Sequence, residues 1–308
     1  MNEQYKTRSL RYIKQENVEE INETENQEKE IKHPFLRKLI FIILMIILIF
    51  IAYSRFIEPK LITINEYKIE SNTIPESFHG FKIIHFSDLH YGTAVDIKQL
   101  NKLVTKINEL KPDIIFFTGD LIDQSVSINE ETKTNIIDVL KTLNASMYKY
   151  AIYGDEDINN EFFEDILKQA DFQILNNEST LLYYKNNTPI QITGFNSRNE
   201  ETNYTILTDF VNEVDTTDFY KIVLTHEPDS VDHFINYNPN LVLSGHSLGG
   251  EINIFKPLFL NEGSKKYYKD YNKINETDFY ISNGLGTSSL YSRFNNPPSF
   301  NLYRIYKI

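Results

Sequence analysis

Hydrophobic residues along most of this chain occur in short runs, and these runs alternate with stretches in which apolar residues recur at helical spacing. The short runs predict strands at 82–86, 114–118 and 148–153. The helical spacing predicts helices between these strands, at 97–110 and 136–143. Strands and helices that alternate with short connections are typical of an α/β domain.

The second half of the chain contains more strand-like runs. Residues 181–184 and 190–194 flank Asn186-Asn187 and predict a hairpin. The remaining runs predict strands at 222–225, 241–244, 279–282 and 302–306 and helical pieces at 206–211 and 231–235. Together with the first half, these elements predict one α/β domain with two sheets.

The longest apolar run precedes this domain. No charged residue lies between Leu39 and Ser54, and this run is slightly shorter than the roughly 17 to 25 residues of a spanning helix. Apolar neighbours extend it if the flanking Arg and Lys side chains snorkel. The run therefore predicts a transmembrane anchor over 35–57. A cleaved signal peptide ending near Ala52-Tyr53-Ser54 and a buried core helix are the alternatives.

Charges on either side of the run favour one orientation. Lys32, Arg37 and Lys38 lie before it, whereas Arg55 and Lys60 follow it. The positive-inside rule then predicts a cytoplasmic N-terminus and an extracytoplasmic remainder.

The predicted anchor separates two segments of different composition. Residues 1–34 are rich in Glu, Asn, Gln and Lys and have no apolar cluster, which predicts a flexible cytoplasmic tail. A short link with Pro59 and Pro75 follows the anchor, and the globular domain is expected to occupy 58–308. Lys and Arg balance Glu in the residues through Lys38, so the formal charge of −12 belongs to the rest of the chain.

This charge and the absence of cysteine narrow the classes of function. Without cysteine the chain has neither disulfides nor thiolate metal sites, so a metal would be held by Asp, Glu, Asn or His. The negative charge disfavours nucleic acid as a partner, because nucleic-acid surfaces use Lys and Arg to displace phosphate counterions. A small phosphorylated substrate fits this charge only if a metal supplies positive charge.

Acidic residues and histidines follow several of the predicted strands. They belong to five segments, Asp88-Leu89-His90, Gly119-Asp120-Leu121-Ile122-Asp123, Gly154-Asp155-Glu156-Asp157, Thr225-His226 and Gly245-His246-Ser247-Leu248-Gly249-Gly250. Strand ends of open α/β sheets meet at one edge, and oxygen and imidazole ligands suit hard or borderline divalent metals. Taken singly, Asp88 would more often cap a turn or helix and His90 would be a satisfied polar residue. The set as a whole predicts a metal cluster.

In order and spacing, the segments resemble the D-x-H, G-D-x-x-D, G-N-H-D/E, single His and G-H-x-H motifs of the calcineurin-like metallophosphoesterases. The resemblance covers roughly residues 60–308. The segment from Tyr280 to Pro298 is also similar to the membrane-anchored bacterial branch of that family, the YkuE/YaeI-like proteins. The resemblance implies a two-sheet α/β/β/α sandwich, a centre with two divalent ions (Mn, Fe, Zn or Mg) and hydrolysis of a phosphoester.

The resemblance also assigns roles to individual residues. It implies that Asp88 and His90 bind a first metal and that Asp120 bridges both metals. The second metal would be bound by Asp120, Asp155, His226 and His246. Asp155 stands where the family has Asn, and a carboxylate oxygen can replace an amide oxygen at a cation. The neighbours expected to support these ligands are Asp123, Asp157, Gly249 and Gly250.

Two positions depart from the family pattern. Glu156 stands where the family has a His that assists catalysis, and Leu248 stands where a further His binds the first metal. Leucine cannot coordinate a metal, so the first site is expected to be the weaker one. General acid–base help contributes about 10²- to 10⁴-fold in rate, so loss of the catalytic His need not abolish activity.

The leading hypothesis is therefore a metal-dependent phosphoesterase attached to a membrane. It would hydrolyse a phosphodiester, a phosphomonoester or a pyrophosphate, in a phosphorylated small molecule or in an envelope lipid or its precursor. The alternative is a catalytically impaired relative that binds metal or a phosphorylated ligand as a sensor or scaffold. Both departures from the motifs affect the first-metal and catalytic side, which keeps the alternative open.

Two further residues near the motifs allow more than one interpretation. His85 precedes Asp88 on the same strand, and alternation places it on the face of Ser87, which favours a packing role. Arg293 either binds an anionic head group or forms a structural ion pair.

Overall fold

The computed structural model describes residues 34–185, 188–197, 219–288 and 290–308. The tail predicted up to residue 34 falls, apart from Pro34 itself, outside these residues. The predicted turn at Asn186-Asn187 and the predicted helix at 206–211 fall outside them as well. The chain divides into two compact units, Met1–Ile51 and Ala52–Ile308.

The long apolar run forms helix α1 (Pro34–Phe56), which has 23 residues. At about 1.5 Å per residue its length is about 34 Å, close to the roughly 30 Å of a bilayer hydrocarbon core. Most of its large apolar side chains between Phe35 and Ile51 are exposed. By length and composition it is the one helix in the described part of the chain that could cross a membrane.

Six strands form the first sheet of the second unit. They are β1 (Thr63–Ser71), β2 (Phe81–Phe86), β3 (Ile114–Phe117), β4 (Tyr148–Ala151), β5 (Gln173–Ile174) and β12 (Ser299–Lys307), in the spatial order β1-β12-β2-β3-β4-β5. Strands β2 to β5 are parallel. Strand β12 is antiparallel to β2 and parallel to β1. The amino ends of β12 and β1 therefore lie at the same edge as the carboxyl ends of β2, β3 and β4.

Six more strands form the second sheet. They are β6 (Glu178–Leu182), β7 (Ile190–Gly194), β8 (Tyr220–Leu224), β9 (Leu241–Ser244), β10 (Tyr271–Ile274) and β11 (Thr277–Ile281), in the spatial order β10-β11-β9-β8-β7-β6. The four central strands are parallel, and both outer strands pair antiparallel with their neighbours. Strands β6 and β7 form the predicted hairpin, although β6 begins and ends earlier than the sequence pattern indicates.

Helices flank both sheets. They are α2 (Ile97–Leu110), α3 (Glu130–Lys141), α4 (Phe163–Gln169) and the short α5 (Val231–Phe234). Asp96 caps α2 by accepting the N–H groups of Lys98 and Gln99, and Asn129 caps α3 by accepting that of Thr132. The cap at Asn129 starts α3 six residues before the predicted 136, because polar residues fill its first turns.

Three apolar cores join these layers. Between the sheets, Phe116 and Tyr303 from the first sheet share a buried cluster with Tyr220 and Leu243 from the second. A second cluster joins the outer face of the first sheet to α2, α3 and α4. A third joins the outer face of the second sheet to α5. The predicted two-sheet α/β/β/α sandwich is confirmed.

Strand β1 lies where the sequence indicates only a link. It is an edge strand, pairs in register with β12 from Thr63 with Ser299 to Ser71 with Lys307, and has only one fully buried side chain, Ile69. Main-chain hydrogen bonds to β12 hold it in place, so it needs little of the apolar pattern that reveals a buried strand. Strands β5 and β10, which are short, are missed for the same reason.

Candidate metal centre

The five motif segments meet at one edge of the sandwich. Asp88, Asp120 and Asp155 follow the carboxyl ends of β2, β3 and β4, and His226 and His246 follow those of β8 and β9. Asp88, Asp120 and His246 adopt left-handed backbone angles, with φ of 49°, 61° and 64°. Such angles are uncommon outside glycine and are found at functional sites held in place by their surroundings. Both sheets therefore contribute ligands to one place.

Four of the predicted ligands form a tight group. The Nε2 atom of His226 lies 3.1 Å from Asp120 Oδ2 and 3.0 Å from Asp155 Oδ1. The Nδ1 atom of His246 lies 3.0 Å from Asp155 Oδ1 and 3.3 Å from His226 Nε2. These are the residues that the resemblance assigns to the second metal.

Backbone carbonyls fix the orientation of both histidines. His226 Nδ1 lies 2.6 Å from the carbonyl oxygen of Thr118, and His246 Nε2 lies 2.6 Å from that of Glu262. A carbonyl oxygen only accepts, so these two ring nitrogens must carry the protons. In the neutral rings, His226 Nε2 and His246 Nδ1 therefore point lone pairs into the group. A carbonyl or carboxylate behind a ligating histidine is the usual arrangement at protein metal sites.

Neighbouring carboxylates raise the pKa of both His226 and His246. Burial by itself would lower the pKa of His226, but the carboxylates of Asp120 and Asp155 raise it well above its ordinary value. Burial would also lower the pKa of His246, but the hydrogen bond with Asp155 raises it above its ordinary value. The group thus attracts a cation to the point where the lone pairs and carboxylate oxygens meet.

The spacing of this group fits a divalent metal. Nitrogen and oxygen ligands bind a metal such as Zn²⁺ at about 2.0 to 2.2 Å, which places neighbouring ligand atoms roughly 3 to 3.5 Å apart. The four ligand atoms here lie within 4.8 Å of one another, and their close contacts lie between 3.0 and 3.3 Å. Asp120, Asp155, His226 and His246 therefore form a donor set that could hold one metal ion.

A second group, made of Asp88, His90 and Asp120, corresponds to the first metal. His90 Nε2 lies 3.6 Å from Asp120 Oδ2. Both carboxylate oxygens of Asp88 are already engaged, since they accept the His246 N–H at 2.9 and 3.1 Å and one of them also accepts the Ser87 hydroxyl. This group offers fewer free ligand atoms than the group around the two histidines.

Leu248 borders the second group. Its side chain is buried, and a Cβ added at Gly284 would lie 2.7 Å from Leu248 Cδ2 and 2.9 Å from Asp88 Cβ. The two side chains thus border the same glycine. An apolar side chain stands beside Asp88, at the position of the family's first-metal histidine.

Glu156 faces His90. Its Oε2 lies 3.2 Å from His90 Nδ1 and accepts the Gln124 N–H at 2.8 Å, and its Oε1 accepts from the Gln124 side chain at 3.2 Å. Both carboxylate oxygens are occupied, so Glu156 supports His90 and the loop after Asp120. It forms a further His and carboxylate group with His90 and Asp123.

Asp123 lies on the same side of His90. Its Oδ2 is 3.4 Å from His90 Nδ1, and its other oxygen accepts the Ser125 N–H at 3.0 Å. Burial opposes its charge, but the hydrogen bonds from His90 and Ser125 lower the pKa of Asp123 to about 2. An ionised carboxylate behind His90 orients the ring toward Asp120.

Asp157 supports Asp120 from below the cluster. It is fully buried, and its carboxylate accepts the N–H groups of Asp120, Leu121 and Gly154 at 2.6, 2.9 and 2.8 Å. These bonds join the turn after β3 to the turn after β4. Asp157 thus fixes the backbone positions of two predicted ligands.

Gly249 and Gly250 both have left-handed backbone angles, with φ of 58° and 74°. A Cβ on Gly249 would lie 2.7 Å from the side-chain oxygens of Asn283 and Asn296, and one on Gly250 would lie 2.4 Å from Pro257. The space that these glycines protect belongs to the surrounding loops.

Arg293 is structural, but not as an ion pair. Its side chain is fully buried and donates to the carbonyls of Gly286 and Asn283 at 2.8 Å, with longer bonds to those of Leu248 and Asn296. It therefore joins three loops behind the cluster and is closed to a head group. His85 is also buried and lies 2.9 Å from the Thr118 hydroxyl, in agreement with its predicted packing role.

Several residues of the site escape sequence reasoning. Thr118 and Glu262 orient the histidines through backbone carbonyls. Every residue has such a carbonyl, so the sequence does not reveal this role. Asn261 donates to the His246 carbonyl at 3.1 Å from 15 positions away, and Tyr291 contacts Ser125 across the pocket at 3.2 Å. Gln124 follows Asp123 directly and Tyr291 lies within the segment from Tyr280 to Pro298, so the motifs could have indicated these two.

The cluster opens into a pocket of about 440 Å³. Its walls carry five carboxylates, two histidines and five uncharged polar residues, namely Asp120, Asp123, Asp155, Glu156, Glu262, His90, His246, Gln124, Ser125, Asn261, Ser288 and Tyr291. None of these lining residues is Lys or Arg. Without bound cations, a phosphate would meet five carboxylates here and only two histidines to offset their charge.

The fold and this cluster define a metal-dependent hydrolase of the two-sheet α/β class. The family profile described as Calcineurin-like phosphoesterase matches residues 81–250, so the chain belongs to the calcineurin-like phosphoesterases, which are hydrolases acting on phosphoric esters. The match begins at β2 and includes the six predicted metal ligands. The resemblance stated from the motifs is confirmed.

Three relatives extend the match beyond the motifs. Metallophosphoesterase YkuE of Bacillus subtilis is 30% identical over 264 residues, which cover 82% of this chain and 89% of that protein. UDP-2,3-diacylglucosamine pyrophosphatase LpxG of Chlamydia muridarum is 26% identical over 267 residues, covering 70% and 77%. Phosphodiesterase YaeI of Escherichia coli is 25% identical over 272 residues, covering 82% and 92%.

We predict that Gly154→Ala weakens metal binding at least tenfold. An added Cβ would lie 2.1 Å from Asp120 Oδ1 and 2.5 Å from Asp120 N, so Asp120 must move. Isothermal titration with Mn²⁺ measures the effect. Gly80→Ala is the control for an added Cβ far from the centre, since no atom lies within 4 Å of that Cβ, although the backbone of Gly80, unlike that of Gly154, is left-handed with φ of 82°. Unchanged affinity in Gly154→Ala would contradict the placement of Asp120.

We also predict that Arg293→Lys destabilises the second unit by about 2 to 4 kcal/mol, because an ammonium cannot reproduce the fork that joins three loops. Denaturant unfolding of the full chain in detergent, followed by near-UV circular dichroism, measures this. Arg304→Lys is the control. Arg304 is partly exposed, and its ion pair with Glu66 is long, at 3.6 Å, so it contributes little to stability. Equal stability of the two variants would contradict the structural role.

Proposed function

We propose that this chain is a membrane-anchored, metal-dependent phosphoesterase that hydrolyses a phosphodiester or pyrophosphate bond in an envelope lipid or its precursor. The observation that carries the proposal is the charge of the pocket. Five carboxylates line it, with two histidines and no Lys or Arg, so divalent cations would be needed to offset the repulsion of a phosphate. A site with this charge and this ligand geometry suits metal-assisted hydrolysis and little else.

Two donor groups would hold the ions. Asp120, Asp155, His226 and His246 form the more complete set, and Asp88, His90 and Asp120 form the other. Divalent ions bound there would neutralise the phosphate charge and lower the pKa of water. Meanwhile Thr118 and Glu262 hold the rings, Asp157 holds the two turns, and Asp123 and Glu156 hold His90.

Membrane attachment follows from the helix and its flanks. Helix α1 has the length and composition of a spanning segment, and more basic residues precede its apolar run than follow it. We therefore place residues 1–34 in the cytoplasm, 35–57 in the membrane and the domain of 58–308 outside. A lipid substrate fits this placement, and one relative, LpxG, is named for a lipid pyrophosphate substrate.

A binding protein with little turnover is the second candidate. Two observations favour it: Leu248 stands beside Asp88 where a ligand is expected, and Glu156 is engaged with His90 and Gln124. Neither substitution touches the more complete donor set. Metal binding and hydrolysis must therefore be measured separately.

The test is hydrolysis of bis(p-nitrophenyl) phosphate by the full chain with added Mn²⁺, together with the number of metals bound. We expect activity that falls at least about 100-fold in Asp120→Asn, since Asp120 belongs to both donor groups. Asp171→Asn, an exposed aspartate that is also left-handed, is the matched control.

The double variant Glu156→His, Leu248→His separates the two candidates. Position 248 already has φ of 49°, an angle that histidine accepts more readily than leucine, so the new ligand can form. Metal binding without hydrolysis by the natural chain, followed by gain of hydrolysis in the double variant, would favour the binding protein and refute the enzyme.

The proposed topology predicts that a tag at residue 1 is protected from protease in intact cells, while residue 308 is accessible. Western blots before and after membrane permeabilisation measure both. Cleavage of the residue 1 tag in intact cells would refute a cytoplasmic tail.

A further inference from the structure

One loop of the second unit exposes an unusual amount of apolar surface. The 252–260 loop runs from Ile252 to Leu260 and has its most exposed apolar side chain at Phe255, with 101% relative exposure. Ile254, Leu258 and Phe259 are each half exposed. Soluble surfaces rarely gather so many large apolar side chains unless they contact a partner or a membrane.

The 252–260 loop lies at the rim of the pocket. It follows β9 and the His246 segment, and the residues directly after it, Asn261 and Glu262, line the pocket. Glu262 accepts the His246 ring N–H, and Asn261 donates to the His246 carbonyl. Whatever the loop contacts is therefore close to the candidate metal centre.

The chain from α1 enters the second unit at this same edge. Strand β1 begins at Thr63, opposite Ser299 at the amino end of β12, and both ends lie at the edge that carries the cluster. Residues 52–60, which precede β1, must therefore reach the unit there. By connectivity alone, the end of the proposed anchor is near the pocket edge.

Contacts inside the second unit confirm this course. The Ser54 carbonyl accepts the Arg293 N–H at 2.9 Å, and the Arg55 guanidinium donates to the Tyr291 carbonyl at 2.8 Å. The Tyr53 ring packs edge-on against Phe294 at 6.3 Å. The end of α1 thus rests on residues 291–294.

The same segment contacts the 252–260 loop. Asn253 donates its N–H to the Phe294 carbonyl at 2.8 Å, and Phe294 donates to the Glu251 carbonyl at 3.0 Å. Residues 291–294 therefore lie between the end of α1 and the exposed loop. Phe56 and Leu290, the chain neighbours of Arg55 and Tyr291, add further exposed apolar side chains, at 63% and 43%.

We propose that the 252–260 loop, with Phe56 and Leu290, lies in the boundary between head groups and acyl chains of the membrane that holds α1. Its apolar side chains are connected through residues 291–294 to the place where the chain leaves the membrane, and Lys256 on the loop supplies a cation for the head groups. The pocket then opens at the level of lipid phosphates. This inference rests on the proposed anchor and not on turnover.

The absence of cysteine makes a direct test simple, because each single Cys variant carries one label. Phe255→Cys and the control Tyr183→Cys are labelled with a fluorophore in the full chain. The chain is reconstituted in phosphatidylethanolamine and phosphatidylglycerol vesicles whose acyl chains are brominated near the glycerol. Tyr183 is 53% exposed and precedes β7, at the end of the second sheet opposite the cluster.

We expect quenching at position 255 to exceed that at 183 at least about twofold, since interfacial segments reach roughly 5 to 10 Å into the boundary. Equal quenching at both positions in vesicle-bound protein would overturn the proposal. An unquenched label at 255, together with an interchain disulfide formed by the unlabelled Phe255→Cys chain on oxidation, would overturn the proposal and assign the surface to a second copy. Failure of the chain to remain with vesicles would refute the anchor, and with it this contact.

A second variant tests the membrane contact independently of enzyme activity. Ile254→Ser, Phe255→Ser should reduce quenching at a label on Phe259→Cys, whether or not the chain hydrolyses anything. If the natural chain does hydrolyse vesicle-embedded phospholipid, the same pair should lower that rate about tenfold while leaving soluble bis(p-nitrophenyl) phosphate unaffected. Unchanged quenching, or equal loss on both substrates, would contradict a membrane contact.

Discussion

Two buried histidines constrain the candidate centre more than any other pair of residues. Since Thr118 and Glu262 accept one ring proton from each, the free lone pairs of His226 and His246 lie 3.3 Å apart and face the carboxylate of Asp155. Two lone pairs at that distance repel unless a proton or a cation lies between them. The Thr118 carbonyl directly follows β3, and the Glu262 carbonyl lies in the connection between β9 and β10, so the backbone itself sets the preference for a cation.

The centre is uneven, and Asp88 explains how an uneven centre can be stable. Its carboxylate accepts the N–H of His246, whose backbone is left-handed. Asp88 thus supports the more complete donor group through His246, besides its proposed place in the other donor group. The departures at 248 and 156 therefore leave the histidine pair intact and concentrate the site on one side.

Much of this arrangement can be predicted from the sequence, because buried strands appear as apolar runs and the candidate ligands follow the ends of those runs. Strands β2, β3 and β9 and the six predicted ligands follow from that rule. Strand β1 does not, since its pairing to β12 is a main-chain interaction. The Glu262 carbonyl, the contact of Glu156 with His90 and the burial of Arg293 also depend on backbone positions set by residues far along the chain. Residue type alone does not encode such positions.

Charge makes the apolar surface of the second unit necessary if the chain acts on lipids. The residues beyond the apolar run carry the entire formal charge of −12, and an anionic membrane surface does not attract such a domain. The pocket is itself lined by carboxylates, so electrostatics would turn it away from lipid phosphates. In the proposed arrangement, covalent attachment at the pocket edge, with an apolar loop beside it, would oppose that repulsion. Divalent cations bound in the pocket would supply, at the phosphate, the positive charge that the domain as a whole lacks.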